Sequence, residues 1–215
     1  MKLSQLFVGT ATALAIAAAF GDIALAGTIP YPNKGTPNST IYTFTATSSG
    51  AITAYFAGSG ASYEEEVGMD VNGVPTGIVG LDDRTTAVGD SIVLGDVTAG
   101  DTLTFYDFVL TSGNTWSSNP SQNIDSGNHV YSTSATAGQA YTSSPAGTYV
   151  GFEDLAFPDS DYNYYDNTFV FTNTTTVTSG VPEPGTWAVM LLGLGGLGVA
   201  IRLARRRSSV ALSAV

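Results

Sequence analysis

The sequence predicts an all-β domain, a β-sandwich or jelly roll of short antiparallel strands, followed by a C-terminal hydrophobic helix. Three observations carry that expectation. The middle of the chain is rich in Thr, Ser, Gly, Asn, Asp and aromatic residues, which favour strands and tight turns. Short alternating runs recur there between turn residues, and none sustains a helical period of good helix formers. Both ends are instead apolar runs of the kind that handles membranes, which leaves residues 27–179 to form the folded body.

Residues 1–26 read as a signal peptide. Lys2 supplies a short positive region, residues 6–20 form an Ala- and Leu-rich apolar run, and Ala24-Leu25-Ala26 gives the small-x-small pattern that signal peptidase cleaves. An N-terminal membrane anchor fits less well, because Gly21-Asp22 interrupts the run short of the roughly 20 residues a span needs. Gly27 is then the mature N-terminus.

Within the body, residues 27–39 form an extended lead-in containing Pro30, Pro32 and Pro37. Residues 41–46 alternate, with Tyr42, Phe44 and Ala46 on one face. Ser48-Ser49-Gly50 turns the chain into residues 51–57, where Ile52, Ala54 and Phe56 share a face, and the two runs read as a hairpin. Asn72-Gly73 between residues 68–71 and 74–79 is the strongest hairpin signal in the chain, and Pro75 assigns the second arm to an edge or a bulge. A short strand at 91–94 precedes a longer one at 102–110, whose aromatics on both faces mark it as central. Asp107 inside it needs a partner if buried. Residues 111–142 read as a long polar loop with at most short strands. Strands at 148–152 and 168–174 follow, and 174–180 reads as a linker to the tail.

The tail runs Pro182-Glu183-Pro184, then Trp187 at the start of a 15-residue apolar segment ending at Ile201, then Arg202, Arg205, Arg206 and Arg207. At 1.5 Å per residue that segment spans about 22 Å as helix, and snorkelling of Arg202 extends the membrane helix to about 187–204. Trp187 suits an interfacial anchor, and the arginines hold residues 208–215 on the cytoplasmic side. Motif, short helix and basic cluster in this order resemble the PEP-CTERM sorting signal of exopolysaccharide-producing Gram-negative bacteria. The resemblance covers about residues 180–207. It implies recognition and removal of the tail by an exosortase-like membrane peptidase, and delivery to the cell envelope or extracellular matrix.

Charge narrows the partners of the body. It holds two basic residues, Lys34 and Arg84, against sixteen acidic ones, a formal charge of −14. Nucleic acid is excluded, since its binding depends on Lys and Arg neutralising phosphates. Cysteine is absent, so an exported domain of about 150 residues must rely on its core, with help from metal if any. With no Cys and His129 the one imidazole, zinc and copper sites are not expected.

The densest chemistry lies late in the body. Glu153, Asp154, Asp159, Asp161, Asn163 and Asp166 place six oxygen-donor side chains within 14 residues. Calcium takes six to eight oxygens in irregular geometry, and a cation would relieve repulsion among five carboxylates. Residues 159, 161 and 163 alternate as EF-hand ligands do, but Tyr164 and Val170 stand where that loop needs Gly and Glu. Turn chemistry offers another account, since Asp and Asn cap turns through their own backbone. Phe152-Glu153-Asp154-Leu155 followed by Asp159-Ser160-Asp161-Tyr162-Asn163 resembles a recurring element of calcium-associated DUF4114-like domains, with Tyr164-Tyr165 inserted before Asp166. The resemblance implies calcium as the ligand of this segment.

Other features carry less. Glu64-Glu65-Glu66 with Asp70, and Asp82-Asp83, could form further cation sites but read more simply as solvated faces. Tyr162, Tyr164 and Tyr165 with Trp116 could stack on sugar rings of an exopolysaccharide, as a lectin-like module would, or pack into a core. His129 is the conceivable neutral-pH base, yet no nucleophile motif or phosphate-binding glycine loop accompanies it. The expectation is a non-catalytic, exported, calcium-binding envelope or matrix protein.

Overall fold

A computed structural model describes residues 29–180; the signal peptide, the sorting residues Pro182, Glu183, Pro184, Trp187, Arg205, Arg206 and Arg207, and the expected membrane helix lie outside them. The described chain is all-β. Its strands are β1 (Thr40–Ala46), β2 (Gly50–Ser59), β3 (Glu65–Val71), β4 (Val74–Gly80), β5 (Ser91–Val97), β6 (Thr102–Val109), β7 (Asn114–Ser117), β8 (Val130–Ala135), β9 (Gly147–Phe152), β10 (Asn167–Thr172) and β11 (Thr174–Gly180). One 3-10 turn, Pro120–Gln122, interrupts them.

The strands form two antiparallel sheets. The first has the order β11-β1-β6-β3-β4, with β7 also pairing β6; the second has the order β5-β2-β10-β9-β8. The Asn72-Gly73 turn joins β3 to β4 as its dipeptide predicts, with both residues at positive φ. Pro75 lies on β4, the edge strand, where its missing N–H costs no ladder bond. β6 is central: β1 pairs its first residues, β7 its last, and β3 all but the first.

Two expectations need correction. The turn at Ser48-Ser49-Gly50 does not close a hairpin, because β1 and β2 belong to different sheets. Residues 174–180 are not a linker. They form β11, which pairs with all of β1 from Thr40↔Gly180 to Ala46↔Thr174. The long polar segment 111–142 carries the short strands β7 and β8, as its sequence allowed.

Alternation fills the space between the sheets. Tyr42, Phe44, Val67, Met69, Leu103 and Phe105 from the first sheet meet Ile52, Ala54, Phe56, Val150, Phe169 and Phe171 from the second. Phe105 stacks on Phe171 with ring centroids 3.8 Å apart. Each such fully buried side chain contributes about 1.5–3 kcal/mol by area. The outer face of the second sheet is covered as well: Tyr149 and Val170 pack there with Ala57, Ala135, Ala140 and Tyr141. Cover on both faces is why β9 and β10 are buried at nearly every residue rather than at alternate ones.

Candidate metal centre

At one end of the core the alternation turns polar. β3 directs Glu65, Val67 and Met69 inward, and β6 directs Leu103, Phe105, Asp107 and Val109 inward. Val67 pairs with Asp107 and Glu65 with Val109, so Glu65 and Asp107 are diagonal neighbours on the core-facing side. Both are fully buried. On the second sheet, Phe152 at the end of β9 pairs with Asn167 at the start of β10. The acidic loop between them therefore leaves and returns beside the same polar end, carrying Asp154 and Asp166.

The loop is shaped by side-chain bonds to its own backbone. Ser160 Oγ accepts from Tyr162 N at 3.0 Å, Asp161 Oδ1 from Asn163 N at 3.1 Å, and Asn163 Oδ1 from Tyr165 N at 2.8 Å. These turns hold Tyr162 and Tyr164 at φ 55° and 56°, in the left-handed region. Glu153 is the internal cap: one carboxylate oxygen accepts from the Ser160 hydroxyl and the other from Tyr164 N. Gly151 permits the loop to close over β9, because a Cβ there would stand 2.1 Å from the Tyr164 carbonyl oxygen.

All six side chains selected from the sequence line one cleft of about 290 Å³, together with Ser62, Tyr63 and Tyr165. Their roles divide. Glu153, Asp161 and Asn163 are engaged in the turn bonds just described, which is the turn chemistry the sequence also allowed. Asp159 and Asp161 are exposed, whereas Asp154 and Asp166 are buried. Asp166 Oδ2 accepts from Asp154 N at 3.2 Å. Among the described residues no group of three or more acidic or imidazole side chains is already arranged to hold a metal ion.

Electrostatics single out the buried carboxylates. Burial, reinforced by Asp107, Asp154 and Asp166, drives the Glu65 carboxyl far above its ordinary range. Burial likewise pushes Asp107 up to about 8, opposed by its hydrogen bond from Asn167 and aided by Asp154. Asp166 is pushed up to about 8 by burial, then by Glu153 and Asp154. Burial also raises Asp154 and Glu153, although the donors around each pull the other way. Asp107 Oδ1 accepts from Asn167 Nδ2 at 2.8 Å, while its Oδ2 and both Glu65 oxygens meet no donor among the described residues.

The remaining candidates resolve as structure. His129 is fully buried between the rings of Trp116 and Phe157, at centroid distances of 3.8 and 4.5 Å. Its Nδ1 meets the Glu153 carbonyl at 3.0 Å and its Nε2 the Asp125 carboxylate at 2.9 Å, so neither nitrogen faces a substrate. Trp116 and Tyr164 are fully buried as well, which removes them from any sugar-stacking platform. The Glu64-Glu65-Glu66 run is split: Glu64 is exposed, Glu65 is inside, and Asp70 accepts from the Tyr106 hydroxyl at 2.6 Å. Asp83 is likewise committed, accepting from Ser59 Oγ at 2.8 Å and Glu65 N at 2.9 Å.

Sequence reasoning weighed Glu65 only within a run that reads as a solvated face, and Asp107 only as a residue needing a partner; it joined neither to the acidic loop. Their signal is parity, since each occupies an inward position in an alternating strand. Comparison with known proteins identifies the PEP-CTERM protein-sorting motif on residues 180–207. This match supports the tail resemblance and implies an exported chain, transiently anchored in the membrane and processed by an exosortase-like membrane protein. No curated protein and no solved structure matches the chain. These comparisons add no support to the DUF4114-like resemblance.

Proposed function

We propose that this exosortase-sorted chain delivers a non-catalytic, calcium-stabilised β-sandwich module to the cell envelope or extracellular matrix. One observation carries the calcium reading: six oxygen-donor side chains from residues 153–166 line a single cleft whose inner wall is buried carboxylate. Closely placed buried carboxylates repel one another and resist ionisation. A divalent ion with irregular, oxygen-only coordination removes that penalty, and calcium fits this donor set better than zinc or copper. The engagement of both His129 nitrogens supports the non-catalytic part of the reading.

Calcium that binds the folded chain and not the unfolded one stabilises it by mass action. The exported chain from residue 27 onward, purified in mild detergent, is expected to melt at higher temperature in millimolar calcium than in chelator. Coincident melting curves in the two conditions would retire the calcium reading.

A further inference from the structure

Resting on that calcium reading, the geometry points to an inner ligand set that clasps the two sheets: Glu65 and Asp107 from the first, Asp154 and Asp166 beside the second. The ion sits beneath the acidic loop rather than among its exposed residues.

The first support is position. Glu65 on β3 and Asp107 on β6 project into the space between the sheets, and Asp154 and Asp166 flank the paired ends of β9 and β10. Asp166 Oδ2 accepts from Asp154 N at 3.2 Å, which holds the two loop ends together. Asn167 at the start of β10 already bonds Asp107 across the gap at 2.8 Å. Four carboxylates from four places in the sequence thus border one polar end of an otherwise apolar core.

An independent support is satisfaction. Glu65 has 0% exposure, and neither of its oxygens meets a donor among the described residues. The charged groups that act on it, Asp107, Asp154 and Asp166, are all carboxylates. A buried carboxyl stays protonated unless it is paired or bound to metal, and an ionised Glu65 lacks a paired cation here. Lys34 and Arg84, the two basic residues of the body, do not supply it. Lys34 lies 5.8 Å over the Tyr165 ring, and Arg84 pairs with Asp83 at 3.9 Å.

The loop residues are poorer ligands by the same measure. Glu153, Asp161 and Asn163 have oxygens engaged in local turns, and Asp159 is exposed. Asp154 and Asp166 line both the cleft and the inner cluster, so the cleft provides the path by which an ion enters.

The test compares calcium titrations of the exported chain in detergent, read by calorimetry, for the natural sequence, Glu65→Gln, Asp107→Asn, and the double variant Asp159→Asn/Asp161→Asn. Asn at 107 keeps an oxygen for Asn167, so it guards against a fold defect in the first variant; circular dichroism in chelator checks both. Each inner variant is expected to weaken calcium binding by roughly tenfold or more. The double loop variant is expected to stay within about threefold, as losing exposed, solvent-screened charge implies. Natural affinity in both inner variants, with binding lost in the loop variant, overturns the inner site and leaves the calcium reading standing. Absence of binding by the natural sequence retires both.

Discussion

The indole N–H of Trp116 donates to the carbonyl oxygen of Asp154 at 2.7 Å. This bond fixes the backbone from which the Asp154 carboxylate projects, and ties β7 of one sheet to the acidic loop of the other. Trp116→Phe leaves that carbonyl without its partner. A buried acceptor left unmade costs about 1–3 kcal/mol. The expected result is a lower urea midpoint with an unchanged slope, measured by circular dichroism.

Gly151 makes a second, steric prediction. Its absent Cβ is the space into which the Tyr164 carbonyl fits. Gly151→Ala forces the loop away from β9 or displaces the strand. Overpacking of this kind costs about 1–3 kcal/mol. Because the displaced segment carries Asp166, calcium affinity is expected to fall together with stability, as thermal melts at several calcium concentrations would show.

Acid and base should act on the metal-free protein in a fixed direction. Asp107 and Asp166 are raised to about 8 and Glu65 is raised further, with Asp83, Glu153, Asp154 and Asp161 adding negative charge around them. Between the ordinary carboxylate range near about 4 and pH of about 8, the folded chain therefore holds more protons than the unfolded one. Stability then falls as pH rises through that window and is highest at its acid end. In chelator, the melting temperature is expected to decline from pH 5 to pH 8. In calcium the ion takes the place of the protons, and the decline is expected to flatten. A metal-free chain that gains stability over the same range contradicts the assignment of these groups.

Sorting can be separated from folding. The PEP-CTERM motif lies on residues 180–207, beyond the body except for the last residue of β11. Replacing Pro182, Glu183 and Pro184 by alanine is expected to leave the body's melting temperature unchanged. In the natural host, the same variant should accumulate as a longer, membrane-bound form, detected by fractionation and immunoblotting.

Much of the fold was legible from local pattern. Tyr42, Phe44 and Ala46, and Ile52, Ala54 and Phe56, are buried as their alternation requires. Pro75 lies on the edge strand β4, and the strand with aromatics on both faces is the central β6. Long-range pairing was not legible. Ser48-Ser49-Gly50 reverses the chain, but a turn does not specify whether the next strand stays in the same sheet. The Thr-rich stretch 174–180 has strand propensity, yet its partner is β1, more than a hundred residues earlier. The acidic loop announced its donors by density, while Glu65 and Asp107 were masked by different local contexts. Glu65 stood within a run of three glutamates, the usual mark of a solvated face. Asp107 stood alone among aromatics, and only the opposing sheet shows what surrounds it.

The most direct measurement is a crystal structure of the exported chain grown with calcium, with the ion located by anomalous scattering. An ion bounded by Asp154, Asp166, Glu65 and Asp107 is the predicted result, completed to seven oxygens by water or loop atoms. Well-ordered density in which these carboxyls bond one another through shared protons, with no ion between the sheets or in the cleft, would contradict the account.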